Sequence, residues 1–374
     1  MRKVLAMLLA VILIMTASIT AFGATKSDVE DKLAPAVDYA LDGNYGKSGY
    51  TVDNARYFLM YLKAGEDAAK YEDKYLASVK KALDGGKLNG VTNLGLTLEI
   101  MDILDVNAKS FEGYNIVKMF KAADISDCAG SPYNYVYATE AAAAYGLDDF
   151  GKEICNYIID NYYEVGIGTD FWGGYGTSAD DLSMFILALA PYADYFAQYI
   201  DNAFMLIKAY ACDKGYASAY GAADEADTDS TALVLAAQSA MDNKRAADKT
   251  FAKLAEFYNE ATGGFTGSYD DYVATADVIF ALGYYLPIAD ADPEPETTTE
   301  ATTAEPETEP EETTKAPATE KAPATEKAPE ATTAAPAAPE KSPETGAANG
   351  AAIAFASIAL AGAAVMLAKK KESK

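Results

Sequence analysis

The chain has 374 residues, with 56 acidic against 30 basic side chains and a formal net charge of -26. This excess of negative charge argues against nucleic acid or anionic lipid as a partner, because both would be repelled. There is no histidine, which excludes Ser-His-Asp and Cys-His catalytic sets and histidine-ligated zinc, and the three cysteines predict no disulfide framework.

Residues 1–23 carry the pattern of a secretory signal peptide. Arg2 and Lys3 precede an apolar run from Val4 to Ile19, and small residues follow it. The mature chain is therefore predicted to begin near residue 24 and to be exported.

Residues 24–289 show a repeat of paired helical segments. Segments of one kind are apolar nearly all round, so each is predicted to be a helix buried on every side. Segments of the second kind are striped: in 243–261, Ala247, Phe251 and Leu254 share one face while Lys244 and Lys249 are predicted to point away into water. Six of each in alternation predict an all-α domain, an inner ring of helices inside an outer ring, with strands only in short hairpins. The alternative is an open α-solenoid, in which both helices of a pair would be striped. The apolar segments are 52–62, 91–101, 137–146, 179–190, 227–238 and 274–285.

Glycine-rich and aromatic-rich connections precede the later apolar segments, at 170–181, 213–230 and 263–277. Their Gly-Gly-Phe or Gly-Gly-Tyr turns, followed by Asp, Ser or Thr with Ala and an Ala/Leu-rich helix, resemble the prenyltransferase and squalene-hopene cyclase repeats of the terpenoid cyclase-like α/α toroid. The resemblance covers about residues 30–289 and is strongest over 165–285. It implies an (α/α)6 toroid, with the ends of the inner helices and the Gly-rich loops around one mouth. Aromatic side chains of these loops are the candidate ligand contacts: Trp172, Tyr175, Tyr216, Phe265 and Tyr269.

An acidic sequence opens the fifth apolar segment. In class II terpene cyclases an Asp-x-Asp-Asp-Thr-Ala sequence protonates the substrate, and this chain is similar to it at Asp227, Asp229 and Thr231. Ser230 replaces the last Asp, so the resemblance does not carry the catalytic acid over. The protein-prenyltransferase branch holds zinc with Asp, Cys and His, and this chain has no His. We therefore expect no cofactor, and predict that Asp227 and Asp229 cap the helix that follows.

Two other uses of the acidic residues stay open. A flexible acidic loop with hard oxygen ligands suits calcium, although the spacing fits no complete EF-hand. A glycoside hydrolase or polysaccharide lyase would need two carboxylates across the mouth, either Asp181 with Asp229 or Asp229 with Asp270. The calcium ligands would be Asp224, Glu225, Asp227 and Asp229.

The chain after the repeats changes composition. Pro, Thr, Ala and Glu dominate residues 290–341, which predicts a disordered, extended stalk. In the last segment, 342–374, about twenty apolar and small residues are followed by three lysines, which predicts a single membrane-spanning helix with its basic end in the cytoplasm.

The stretch before that helix resembles the cell-wall sorting signal of Gram-positive surface proteins. Pro343, Thr345 and Gly346 match Leu-Pro-x-Thr-Gly, while Ser342 stands where Leu is usual. The resemblance implies cleavage by a sortase between Thr345 and Gly346 and attachment to peptidoglycan. The sortase class, or retention as a single-pass membrane protein, stays open.

These features predict an exported, cell-wall- or membrane-anchored protein that displays a non-catalytic toroid on a stalk. Its expected ligand is an extracellular glycan, peptide or protein. The alternative is an exported carbohydrate-active enzyme that uses a carboxylate pair at the same mouth.

Overall fold

The computed structural model describes residues 24–43, 50–65, 67, 70–173, 176–218, 225–268 and 270–290. Most of these residues are helical. Helices of two kinds alternate along them, as the apolar and striped segments predict. The first kind, here called the buried helices, comprises α2 (Ala55–Lys63), α4 (Val91–Ile103), α6 (Tyr135–Ala144), α8 (Ala179–Leu189), α10 (Thr228–Ala240) and α12 (Asp271–Tyr285). The second kind, the surface helices, comprises α1 (Lys26–Asp42), α3 (Glu72–Asp84), α5 (Ile116–Lys121), α7 (Asp148–Tyr162), α9 (Ala193–Ile207) and α11 (Lys244–Leu254).

The two kinds of helix differ in burial as their patterns predict. In α10 every residue from Thr228 to Ser239 is buried, on all sides of the helix. In α7 the buried positions are confined to one stripe that includes Phe150, Ile154 and Ile158. A helix without a polar side must be enclosed by other helices, whereas a striped helix covers them and faces water.

The buried helices contact one another in chain order. Helix α2 packs against α4, α4 against α6, α6 against α8, α8 against α10 and α10 against α12, and α12 also packs against α2. Five surface helices each pack against a buried helix: α1 against α12, α5 against α4, α7 against α6, α9 against α8 and α11 against α10. The first and last buried helices are therefore neighbours, although most of the chain separates them.

A buried ion network joins four of the buried helices. The Nζ of Lys63 lies 2.6 Å from Oε2 of Glu140 and 3.1 Å from Oε2 of Glu99, and the Tyr284 hydroxyl donates to Oε1 of Glu140. Burial opposes the charge on Lys63, but Glu140 and Glu99 hold its pKa well above the usual value. The network links α12 to α2, α4 and α6, so it fixes the contact between the two ends of the helical series.

Among the described residues, strands form only a short two-stranded hairpin and a short three-stranded sheet, close to the prediction of short hairpins. β1 (Tyr163–Glu164) pairs antiparallel with β2 (Gly168–Thr169). β4 (Gly215–Ala217) pairs antiparallel with β3 (Ala211–Cys212) and β5 (Ala226–Asp227). The three-stranded sheet ends at Asp227 and leads directly into α10, so it positions the acidic start of that helix.

One side-chain prediction from the striped pattern is wrong. Lys244 is buried in α11 rather than facing water, and its Nζ lies 2.6 Å from Oδ1 of Asp248. The Tyr285 hydroxyl donates to the same carboxylate. The helical pattern alone cannot show this, because the long lysine stem reaches a carboxylate on its own helix while its methylene groups are covered.

Several predictions concern residues outside the described ranges. They are the signal peptide 1–23, the stalk from residue 291, the membrane helix and the sorting residues Pro343, Thr345 and Gly346. Within the described ranges, no helix combines the length and the apolar character that a membrane crossing requires. All three cysteines are unpaired, with Cys155 buried and Cys128 and Cys212 half-buried.

Candidate functional site

A pocket of about 40 Å³ opens among five of the buried helices. At roughly 10–15 Å³ per water, it holds about three water molecules or one small polar group. Its walls are aromatic and aliphatic with few polar groups, which is the usual composition of a ligand site. The lining residues are Arg56, Tyr57 and Met60 of α2, Tyr133, Asn134 and Tyr137 at the start of α6, Met184 of α8, Leu233 of α10, and Ala276, Asp277 and Phe280 of α12.

Opposite charges line this pocket on α2 and α12. The Nη2 of Arg56 donates to the Tyr57 hydroxyl at 2.6 Å, and the guanidinium lies 4.6 Å from the centre of the Tyr57 ring. Asp277 is 7% exposed, and burial raises the pKa of its carboxyl to about 7 although the charge of Arg56 acts in the opposite direction. Asp277 therefore holds its proton more strongly than an exposed aspartate does.

The charges of Asp180 and Asp227 act on Asp277, and the charge of Asp277 acts on Asp229; we call these four residues the aspartate cluster. Asp180 and Asp229 lie in the first turns of α8 and α10, one turn before the pocket-lining residues of those helices. Burial raises the pKa of Asp180 to about 7, with a contribution from the charge of Asp227. Burial also raises the pKa of Asp229 well above its usual value, and the charges of Asp277, Asp227 and Asp180 add to the effect.

Two oxygen atoms of this cluster lack a partner. The Oδ1 atoms of Asp180 and Asp229 are both buried without a hydrogen bond. A buried acceptor without a donor is unfavourable by about 1–3 kcal/mol. Both oxygens belong to residues outside the lining of the pocket.

The cap of α10 is Asp227, as predicted, but Asp229 does not share that role. The Asp227 backbone is extended, and its Oδ2 accepts from the backbone N–H of Ser230 at 3.1 Å. Ser268 donates to the other oxygen of Asp227 at 2.5 Å. Asp229 is already inside the helix, where a side chain no longer reaches the free N–H groups from the capping position. At this interior position the charges of other buried carboxyl groups act on Asp229.

The other proposed carboxylate partners have different surroundings. Asp270 is exposed and caps α12, accepting from the backbone N–H of Tyr272 at 2.7 Å. Asp181 is buried and accepts from the Tyr133 hydroxyl at 2.6 Å. Burial raises the pKa of Asp181 to about 8, against the effect of that hydrogen bond. Asp181 is thus hydrogen-bonded to a pocket-lining tyrosine, whereas Asp270 caps its own helix.

None of the loop aromatics that the structure describes, Trp172, Tyr216 and Phe265, lines the pocket. Trp172 is half-buried with its ring edge-on to Tyr133, at 5.5 Å between ring centres. Tyr216 is half-buried, and its hydroxyl accepts from Nε2 of Gln238 at 3.3 Å. Phe265 is 1% exposed and packs on Tyr258, so its ring has no surface left for a ligand. The other two predicted aromatics, Tyr175 and Tyr269, lie outside the described residues.

Tyr216 and Phe265 share a structural role through their backbones. The Tyr216 N–H donates to Oγ1 of Thr231 at 3.0 Å, and the Phe265 N–H donates to Oγ1 of Thr275 at 2.8 Å. Each threonine hydroxyl in turn donates to a carbonyl four residues earlier in its own helix. The Gly-aromatic turn of a repeat is thereby fixed to the first turns of the following buried helix.

The pocket aromatics are residues that sequence reasoning missed. Tyr57, Tyr137 and Phe280 belong to apolar helical segments that are explained by packing alone, and Tyr133 lies in the short turn just before α6. Their rings meet only through contacts between helices far apart in the chain, among them that between α12 and α2, and nothing local in these segments signals it.

Calcium coordination receives no geometric support from the described residues. Among them, no three acidic or cysteine side chains are grouped closely enough to hold a metal ion. Asp224, one of the four proposed ligands, lies outside the described ranges. No protein-family model matches the chain, and no curated protein is similar to it at a significant level.

Proposed function

We propose that this chain is an exported surface protein whose helical domain forms an (α/α)6 toroid and binds a small ligand group without transforming it. The closed order of contacts among the buried helices, from α2 through α12 and back to α2, supports a toroid over an open solenoid. The alternation of fully buried and striped helices supports the same arrangement.

The observation that carries the binding function is the pocket itself. It joins an apolar, aromatic wall to the guanidinium of Arg56 and to the buried carboxyl of Asp277. Pairing of convergent polar groups with an aromatic wall is typical of a binding site. A pocket of about 40 Å³ suits one terminal group of a larger ligand and leaves little room for a sugar ring together with an attacking water.

A second candidate, a carbohydrate-active enzyme, rests on the raised pKa values. Burial places the pKa of Asp181 at about 8 and that of Asp277 at about 7, and a carboxylic acid that stays protonated near neutral pH is suited to general-acid catalysis. Such an enzyme would need a second carboxylate that activates water or attacks the substrate.

Ligand panels distinguish the two candidates. Trp172 is the only tryptophan and contacts the pocket-lining Tyr133, so its fluorescence reports on occupancy. We expect at least one class among glycans, peptides and amines to change that emission, with affinity reduced about tenfold or more in Asp277→Asn. The exposed carboxylate Asp149 of α7 supplies the matched control, and Asp149→Asn should bind normally. Release of new reducing ends from a glycan, abolished by Asp181→Asn, would instead establish the enzyme.

Export and anchoring have their own test. In a Gram-positive host with an active sortase, the tagged chain should be released from the wall by muralytic digestion. Thr345→Ala should shift it to the membrane fraction, because cleavage after Thr345 is the proposed step. Equal retention of the parent chain and of Thr345→Ala in the membrane fraction would support a single-pass anchor. Accumulation of the parent chain in the cytoplasm would contradict export.

A further inference from the structure

Two buried polar side chains line the pocket and form no hydrogen bond with the described residues. Asp277 is 7% exposed, and none of these residues donates to its carboxyl. Tyr137 is equally buried, and its hydroxyl has no hydrogen-bond partner within the described ranges. The hydroxyls of Tyr57 and Tyr133, the other two lining tyrosines, are both hydrogen-bonded inside the protein. The pocket therefore keeps one carboxyl and one hydroxyl for a ligand.

A ligand reaches both groups through the pocket. The Oδ1 atoms of Asp180 and Asp229 are sealed from solvent, but the polar atoms of Asp277 and Tyr137 are not. Tyr137 lies on α6 and Asp277 on α12, and these helices are not consecutive in the order of helix contacts. Because both side chains line one cavity of about 40 Å³, a single small group in it can bond to both helices.

The lining sets the chemistry of that group. Arg56 is cationic, and Asp277 carries the opposite charge when it ionises, so the ligand group needs no net charge. It needs an N–H or O–H donor for the carboxyl, which keeps an acceptor oxygen in either protonation state, and an acceptor for the Tyr137 hydroxyl. The buried apolar side chains Met60 and Met184 favour a methyl group beside these polar atoms. An acetamido group has all three features, and its four non-hydrogen atoms suit a cavity with room for about three waters.

The rim of the pocket suits a sugar as the carrier of this group. The half-buried lining residues are two polar side chains, Arg56 and Asn134, and two aromatic rings, Tyr133 and Phe280. A few polar groups beside aromatic rings can bond to hydroxyls and pack on the C–H face of a sugar ring. An acetylated lysine side chain would instead need an apolar channel for its alkyl stem.

We propose that the pocket binds the acetamido group of an N-acetylated amino sugar, with the sugar ring at the rim. This inference rests on the proposed binding function and specifies its ligand class. The amide N–H donates to the Asp277 carboxyl, and the carbonyl oxygen accepts from the Tyr137 hydroxyl. The methyl group packs against Met60 and Met184.

The test titrates the full chain with methyl N-acetyl-β-D-glucosaminide, by ligand-observed NMR and by Trp172 fluorescence. The matched probe is methyl β-D-glucoside acetylated on its 2-hydroxyl, which keeps the carbonyl and the methyl group but has no N–H. We expect the acetamido sugar to bind at least tenfold more tightly, because the ester leaves the buried Asp277 carboxyl without a donor. Tyr137→Phe should weaken binding of the acetamido sugar about tenfold. Tyr195→Phe, at a 65% exposed tyrosine of α9, should not.

Equal affinity of the parent chain for the acetamido sugar and the ester would overturn the inference even if Tyr137→Phe failed to fold. Tighter binding of a peptide that contains acetylated lysine than of the amino sugar would also overturn it, while leaving the proposed binding function intact. If no glycan, peptide or amine bound to the full chain, the proposed function would fail as well.

Discussion

Removal of the ionisable group at Asp181 should change how stability depends on pH. The carboxyl is 3% exposed, and burial raises its pKa from 3.8 to about 8. The folded state therefore binds this proton more tightly than the unfolded state. Its stabilising contribution is complete below pH 4 and is lost as pH rises through 8. At ~1.4 kcal/mol for each pKa unit, the loss is on the order of 5 kcal/mol.

Asp181→Asn keeps the shape of the side chain and an oxygen that accepts from the Tyr133 hydroxyl. We expect the variant to exceed the parent chain by only about 2 kcal/mol at pH 5, because the carboxyl is protonated in the folded parent there and ionised in the unfolded parent. At pH 8.5 the variant should be more stable by several kcal/mol. Urea unfolding followed by Trp172 fluorescence measures both differences, and the surface change Asp149→Asn should leave the pH profile of the parent unaltered.

Parallel pH profiles for the parent and Asp181→Asn would show that Asp181 is not protonated in the folded state at neutral pH. A variant less stable than the parent at pH 8.5 would show instead that the ionised carboxylate is stabilised by Tyr133. Either outcome would refute the assignment of burial as the dominant effect.

Three further changes test the packing. Lys63→Met should lower the free energy of unfolding by about 3 kcal/mol at pH 8 and by less at pH 5. The reason is that Glu140 loses its cation and can then be neutralised only by a proton. Urea unfolding at both pH values measures the difference. Gly95→Ala should lower the melting temperature markedly, since the added Cβ would lie 2.7 Å from backbone of α6, whereas Gly85→Ala, with its nearest atom at 3.3 Å, should have a much smaller effect. Thr231→Val should cost about 1–3 kcal/mol in urea unfolding and increase hydrogen exchange at the hairpin before α10, because the threonine hydroxyl fixes that turn.

Much of the helical organisation could be predicted from local pattern. The segment that becomes α10 has small or apolar residues on every side, so no orientation exposes it without loss of free energy. The apolar stripe of α11 identifies its buried face. The pattern assigns every charged residue to the exposed face, so it wrongly places Lys244 in water. The actual position depends on Asp248 and Tyr285, and Tyr285 belongs to a different helix.

The candidate site could be predicted only in part. The acidic stretch before α10 marks one side of it, and Asp227 caps the helix as its residue type indicates. The pocket itself requires Arg56 and Asp277, which are brought together by the packing of α12 against α2. Periodicity along one segment holds no information about such a distant contact, so the aromatic lining remained hidden among residues assigned to packing.

Two members of the aspartate cluster, Asp180 and Asp277, reduce the stability of the fold when they ionise. The first turns of α8 and α10 favour negative charge through their free N–H groups, by about 0.3–1 kcal/mol per residue. Burial acts in the opposite direction and raises the pKa of Asp180 and Asp277 to about 7, a shift on the order of 4 kcal/mol for Asp277, which is 7% exposed. Burial is the larger effect, so these carboxyl groups weaken the fold whenever they ionise. A serine is tolerated at the third residue after the α10 cap, where α8 has Asp181, so the architecture does not require a carboxyl at that position. Acidic side chains kept where they reduce stability are the arrangement expected of a binding site.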